Sequence, residues 1–104
     1  MELELEIRKQ VVVSTAHMMQ EDNPVFRQIA NDKPILVRET TYGWEVFVAT
    51  EEHQREWESI SAEYPVSDAV LVNILKLWQA VPGLYSIVFD CDGPRVEGLD
   101  TFEW

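Results

Sequence analysis

The sequence predicts a single α+β domain in the order β-α-β-β-α-β, a ferredoxin-like split βαβ sandwich with an extra short helix before the second main one. Three observations carry that prediction. Residues 67–81 hold the strongest amphipathic helix, Leu84 to Phe89 follow as a short apolar run of strand formers, and Ile35–Thr40 with Trp44–Ala49 read as a hairpin. Only Pro82-Gly83 separates that helix from the apolar strand, so the two must pack together and found the core. With 104 residues, 46% of them apolar, the chain suits one core and one domain spanning residues 1–104.

The elements follow in order. Glu2, Glu4 and Glu6 alternate with Leu3, Leu5 and Ile7, the period of two of a half-buried strand. Val11-Val12-Val13 extends it with deeper burial, and Arg8-Lys9-Gln10 breaks the alternation, which implies two strand pieces or a bulge. Pro24 fits the first turn of a helix capped by Asn23 or an earlier residue, with Val25, Phe26, Ile29 and Ala30 inward and an end near Asn31. Thr41-Tyr42-Gly43 joins the hairpin strands. Thr50 caps a polar helical segment whose apolar residues are Trp57, Ile60 and Tyr64.

In the main helix, Ser67 is the cap and Asp68 meets the positive end of the dipole. Val70, Leu71, Ile74, Leu75, Trp78 and Val81 form one apolar stripe, with Asn73, Lys76 and Gln79 opposite. Pro82-Gly83 stops the helix. Asp92-Gly93-Pro94 makes a turn after the last strand, and the tail from Arg95 to Trp104 adds a short edge strand. The expected sheet is four-stranded and antiparallel with helices on one face, its first and last strands at the centre or beside it.

The formal net charge of -11 argues against direct binding to nucleic acid or an anionic membrane and suits either solubility or a basic partner. Cys91 is the only cysteine, so no internal disulfide forms and a reducing compartment is expected. The N-terminus reads as neither signal peptide nor anchor, and no apolar run approaches the roughly 20 residues of a membrane span. The expectation is a soluble cytoplasmic protein.

Ser86 to Gly93, an apolar strand ending in Asp-x-Asp-Gly, resembles the first motif of haloacid-dehalogenase-type phosphatases. In that family the first Asp attacks phosphorus and the second acts as acid/base beside magnesium. The family also needs a large doubly wound domain and later lysine and acidic motifs after this point, where eleven residues follow Gly93. Two aspartates closing a strand and opening a turn is the favoured reading. A calcium loop fails as well, because Pro94 stands at the third ligand position and Gly93 comes too early. Asp90 and Asp92, with Glu97, remain weak metal candidates.

His17, His53 and Cys91 show no ligand spacing with one another, and carboxylates beside Cys91 disfavour its thiolate. Ser14-Thr15 reads as a turn cap with His17 hydrogen-bonded nearby. No Gly-rich phosphate loop is present. No catalytic residue and no cofactor are expected, and the protein is not expected to be an enzyme.

Glu51, Glu52, Glu56, Glu58 and Glu63 cluster in one polar segment. Glutamates two apart on a strand are about 6.6 Å apart, whereas duplex DNA carries a charge every ~1.7 Å of axis. One row is therefore too sparse to imitate a duplex, and a decoy must pool carboxylates from several elements. The partner-binding expectation assigns charge to Glu51, Glu52, Glu56 and Glu58, with Trp44 or Trp57 as anchor if exposed. The expected partner is a basic, nucleic-acid-binding protein. The alternatives are a metal-binding sensor or hydrolase on Asp90 and Asp92, and a homo-oligomeric module joined by a sheet edge or exposed aromatics.

Val13-Ser14-Thr15-Ala16-His17, Tyr42-Gly43-Trp44 and the run from Phe89-Asp90 through Asp92-Gly93-Pro94, Val96 and Gly98-Leu99 to Trp104 together resemble a family of small acidic bacterial proteins of unknown function. Members often travel with plasmids and integrated elements. The resemblance covers most of the chain and departs at Met18-Met19 and Asn23-Pro24. It supplies no catalytic residue. It implies proteins that interfere with host defence, such as inhibitors of restriction or CRISPR systems.

Overall fold

Four strands, β1 (Lys9–Ser14), β2 (Val37–Thr40), β3 (Gly43–Phe47) and β4 (Leu84–Asp90), form one sheet in the order β1-β4-β3-β2. Helices α1 (Asp22–Asp32), α2 (Glu51–Glu63) and α3 (Asp68–Ala80) connect them, and a single 3-10 turn, Thr15–His17, follows β1. The computed structural model describes residues 7–102; Glu2, Glu4 and Glu6 of the predicted alternation, and Trp104, lie outside them. The predicted element order holds, extra helix included.

One strand pair departs from the expected antiparallel sheet. β4 enters between β3 and β1, antiparallel to β3 and parallel to β1, with Val13 beside Phe89. The β2–β3 hairpin is antiparallel. The α1 crossover sends β2 the same way as β1, so the hairpin reverses β3 and the α2–α3 pair reverses the chain once more. β4 therefore runs with β1. The predicted irregularity near Gln10 is present: Lys9 pairs with Leu84 and Gln10 with Ser86, leaving Tyr85 as the extra residue, on β4.

All three helices cover one face of the sheet. Val13, Val37, Trp44, Val46, Ile87 and Phe89 from the strands join Phe26, Ile29, Trp57, Ile60, Val70 and Ile74 from the helices in one buried cluster. Phe26 sits at its centre, with ring centroids 6.1 Å from Trp44, 6.2 Å from Trp57 and 6.4 Å from Phe89. Truncating such a ring to alanine costs about 3–5 kcal/mol.

Local capping explains two helix starts as expected. Thr50 Oγ1 accepts the His53 N–H at 3.1 Å while His53 Nδ1 accepts that of Thr50 at 3.2 Å, and Ser67 Oγ accepts the Val70 N–H at 3.2 Å. The start of α1 differs. Asn23 does not cap it; its Oδ1 accepts the Trp44 indole N–H at 2.9 Å. The buried Asp22 instead accepts from Met19 N–H, Ser67 N–H and Ser67 Oγ–H, at 3.2, 2.9 and 2.6 Å, tying the start of α1 to the cap of α3.

Helix α3 is also rotated from expectation. Its buried row is Val70, Asn73, Ile74 and Leu77, while Leu75 is 47% exposed. Asn73 tolerates burial because its amide is satisfied: it donates to His17 O at 2.9 Å and Asp100 O at 3.1 Å and accepts from Asp100 N–H at 3.2 Å. The tail forms no edge strand among the described residues. Its backbone bonds run to side chains and to the 3-10 turn, including Phe102 N–H to Ala16 O at 2.7 Å and Lys76 Nζ to Gly98 O at 3.2 Å.

Candidate functional site

Rotation of α3 opens a groove against α2. Trp57 and Ile60 point to the core, which leaves Glu51 and Glu58, seven residues apart, on the flank facing α3. Glu52 and Glu56, four apart, take the other flank. The groove, about 150 Å³, is lined by Trp57, Glu58, Leu71, Ile74, Leu75 and Trp78 and is almost entirely apolar. Leu75, 47% exposed, carries its apolar surface into solvent. The exposed Leu75 thus stands beside the Glu58 carboxylate, so the groove is apolar with a charged edge.

The four predicted carboxylates are thus divided. Glu56 pairs with Lys33 at 2.9 Å, and Lys33 also reaches Glu63 at 3.3 Å. The hydrogen bonds that Lys33 donates to those two carboxylates hold its amine above its ordinary range. The predicted anchors require correction. Trp44 and Trp57 are 3% and 5% exposed and belong to the core; the Trp57 indole N–H donates to Phe47 O at 2.9 Å. Large rings at strand and helix positions facing the sheet–helix interface gain most from burial, and both indole N–H groups find acceptors there. Trp57 lines the groove with the little surface it exposes.

Asp90 and Asp92 stand where β4 ends. Asp90 Oδ1 accepts the Asp92 N–H at 2.8 Å, the turn that the sequence suggested. One ligand atom each from Asp90, Cys91 and Asp92 fall within 4.8 Å of one another, with Cys91 and Asp92 exposed. His17 and His53 are elsewhere. His17 is buried with both ring nitrogens engaged, and His53 caps α2.

The segments 13–17, 42–44 and 89–94 converge at this end of the sheet. Cys91 N–H donates to Tyr42 O at 3.0 Å and Ser14 N–H to Pro94 O at 2.8 Å. A Cβ on Gly43 would lie 1.8 Å from Phe89 O, and one on Gly93 would lie 2.5 Å from Val13 O. Both positions require glycine for close backbone approach.

The sheet face away from the helices carries a group that the sequence reading missed. Glu45 is only 4% exposed there. Its Oε1 accepts from Arg38 Nε at 3.1 Å and Nη2 at 2.6 Å, and its Oε2 from Gln10 Nε2 at 2.8 Å and Ser86 Oγ at 2.7 Å. Burial pushes the carboxyl upward, but the bonds from Ser86, Arg38 and Gln10 outweigh it and hold Glu45 below the usual carboxylate range. The signal was the hairpin register: with Thr40 opposite Gly43, Arg38 falls opposite Glu45.

Residues 10–104 match a family model described as the C-terminal domain of a family of unknown function, DUF5983. The chain belongs to that family. The matched span of this DUF5983 domain runs from Gln10 of β1 through the tail, so it includes the α2–α3 groove, the Asp90 turn and the Glu45 cluster. Neither a curated protein nor a solved structure matches the chain. Among the described residues of the domain, no helix is long and apolar enough to cross a membrane.

Proposed function

We propose that this DUF5983 domain is a non-catalytic binding module that docks a basic, amphipathic segment of another protein in the α2–α3 groove. The observation that carries this reading is the solvent-open apolar row of Leu71, Leu75 and Trp78 beside Glu58, in a chain of net charge -11. Apolar side chains of the partner fill the groove, and Glu51 and Glu58 meet its cations at the rim, where they set orientation and association rate. Glu52 adds to the long-range field. Glu56, already matched by Lys33, adds less.

The class of partner in this proposal is a basic, nucleic-acid-binding protein of a host-defence system, met in the cytoplasm. The resemblance to small acidic bacterial proteins of mobile elements supports it. Pull-down from the native host's lysate, with wild type and Leu75→Asp at low and high salt, tests the reading. Retention of a basic protein by wild type at low salt, with loss in Leu75→Asp, is the expected result. Equal retention by both chains excludes the groove.

A divalent ion at Asp90 and Asp92 is the second reading, favoured by the proximity of their oxygens to Cys91 Sγ. Magnesium or calcium bound only by the folded state raises the melting midpoint. An unchanged midpoint at millimolar metal removes it.

A further inference from the structure

The concavity on the helix-free face of the sheet is built unlike a solvated surface. It spans the sheet, lined by Arg8, Gln10, Arg38, Glu45, Phe47 and Tyr85, with a volume of about 420 Å³. Small-molecule sites occupy about 300–1,000 Å³. One wall is aromatic: Phe47 and Tyr85 meet edge to face with centroids 5.8 Å apart, and the Arg8 guanidinium lies 4.6 Å from the Tyr85 centroid. The other wall is polar and fixed. Glu45 Oε1 takes both Nε and Nη2 of Arg38, so the guanidinium plane is set while its remaining N–H groups face outward on a side chain 66% exposed. Gln10 spends its amide N–H on Glu45 and Ser86, which leaves its oxygen as an acceptor.

The cluster lies away from the hydrophobic core, and replacing a buried ion pair by apolar residues is often neutral or stabilising. A buried carboxylate that orients an exposed guanidinium beside aromatic rings is a means of presenting that guanidinium. We propose that this concavity binds a small planar anion, a ring carrying a phosphate or carboxylate. The ring packs on Phe47 and Tyr85 and the anionic group meets Arg38. The anion meets the outward N–H groups of Arg38 at contact distance, whereas the chain's remote negative charges are screened over about 8 Å at physiological salt.

Nucleotides and aryl carboxylates are the two sources of this chemistry. NMR-monitored titration of the full chain with adenosine monophosphate and, separately, with benzoate distinguishes them, with adenosine and inorganic phosphate as controls. Saturable shifts at Gln10, Arg38, Phe47 and Tyr85 with adenosine monophosphate alone identify a nucleotide site; shifts with both anions identify a general aryl-anion site. Arg38→Gln is expected to weaken binding about ten-fold or more, the loss of a charged hydrogen bond. Adenosine or phosphate binding as well as the combined ligand, an unaffected Arg38→Gln chain, or no saturable shift with either anion would each overturn the proposal. The wild-type titration decides even if the variant folds poorly.

Discussion

The backbone N–H of Val96 donates to Nε2 of His17 at 2.9 Å, joining residues 79 positions apart. On the ring's other side, Nδ1 lies 2.8 Å from Asp100 O, an atom that only accepts. Nε2 is therefore the acceptor and Nδ1 the donor of this imidazole. His17 is the peg on which the tail hangs. His17→Leu keeps the volume, strands the Val96 N–H and leaves Asp100 O with the Asn73 amide alone, so it should destabilise the fold by about 1–3 kcal/mol. The Val96 amide should also lose hydrogen-exchange protection more than amides of β4. Unchanged protection at Val96 would show that the tail is held by other contacts.

Glu45 predicts an acid-dependent stability. Its carboxyl is held below the usual range, against the effect of burial, by Ser86, Arg38 and Gln10. The unfolded chain thus takes up this proton more readily than the native one. The contribution is complete above the ordinary value of 4.5 and is lost as pH falls through the lowered native value. Glu45→Gln should be less stable than wild type at neutral pH, and the gap should narrow on acidification below about pH 4. Urea midpoints at several pH values measure it. A gap that stays constant with pH would remove Glu45 as the cause.

Gly43 predicts a steric limit. An alanine there places its Cβ 1.8 Å from Phe89 O, inside the β3–β4 ladder. Backbone rather than a flexible side chain must give way, so Gly43→Ala should destabilise by about 1–3 kcal/mol or more. Thermal denaturation checks this, and a midpoint equal to wild type would contradict the close packing of these strands.

Much of the fold was legible in the sequence. Ser67 and Thr50 announced their helices because capping is local chemistry, and the apolar run before Asp90 announced the central strand. The direction of β1 against β4 was not legible, since it depends on where β4 inserts among strands far away in sequence. Asn73 and Trp57 show why the site was only partly readable. Helical periodicity places residues on a face but does not say which face a neighbour covers, so a satisfied amide went inward and Leu75 outward. Glu51 and Glu58 were identified as surface carboxylates, whereas the apolar surface beside them emerged only when α2 and α3 were packed together. Glu45 was hidden because its partners come from three other strands.

The α2–α3 groove makes its own mutational prediction. Leu75→Asp changes an exposed residue and should leave the melting midpoint within about 0.5 kcal/mol of wild-type stability. Trp78→Ala, which is half-buried, should lower both stability and binding. A Leu75→Asp chain that unfolds would place Leu75 in the core rather than on a docking surface.

The measurement that tests the docking account most directly is a titration with a basic amphipathic helical peptide of leucine and lysine, followed by tryptophan emission. Trp57 and Trp78 in the groove make the emission a local reporter. Wild type should bind saturably, less tightly as salt rises, with binding lost in Leu75→Asp and weakened in the Glu51→Gln/Glu58→Gln double variant. Equal affinity for wild type and Leu75→Asp would contradict the account, whatever the salt dependence.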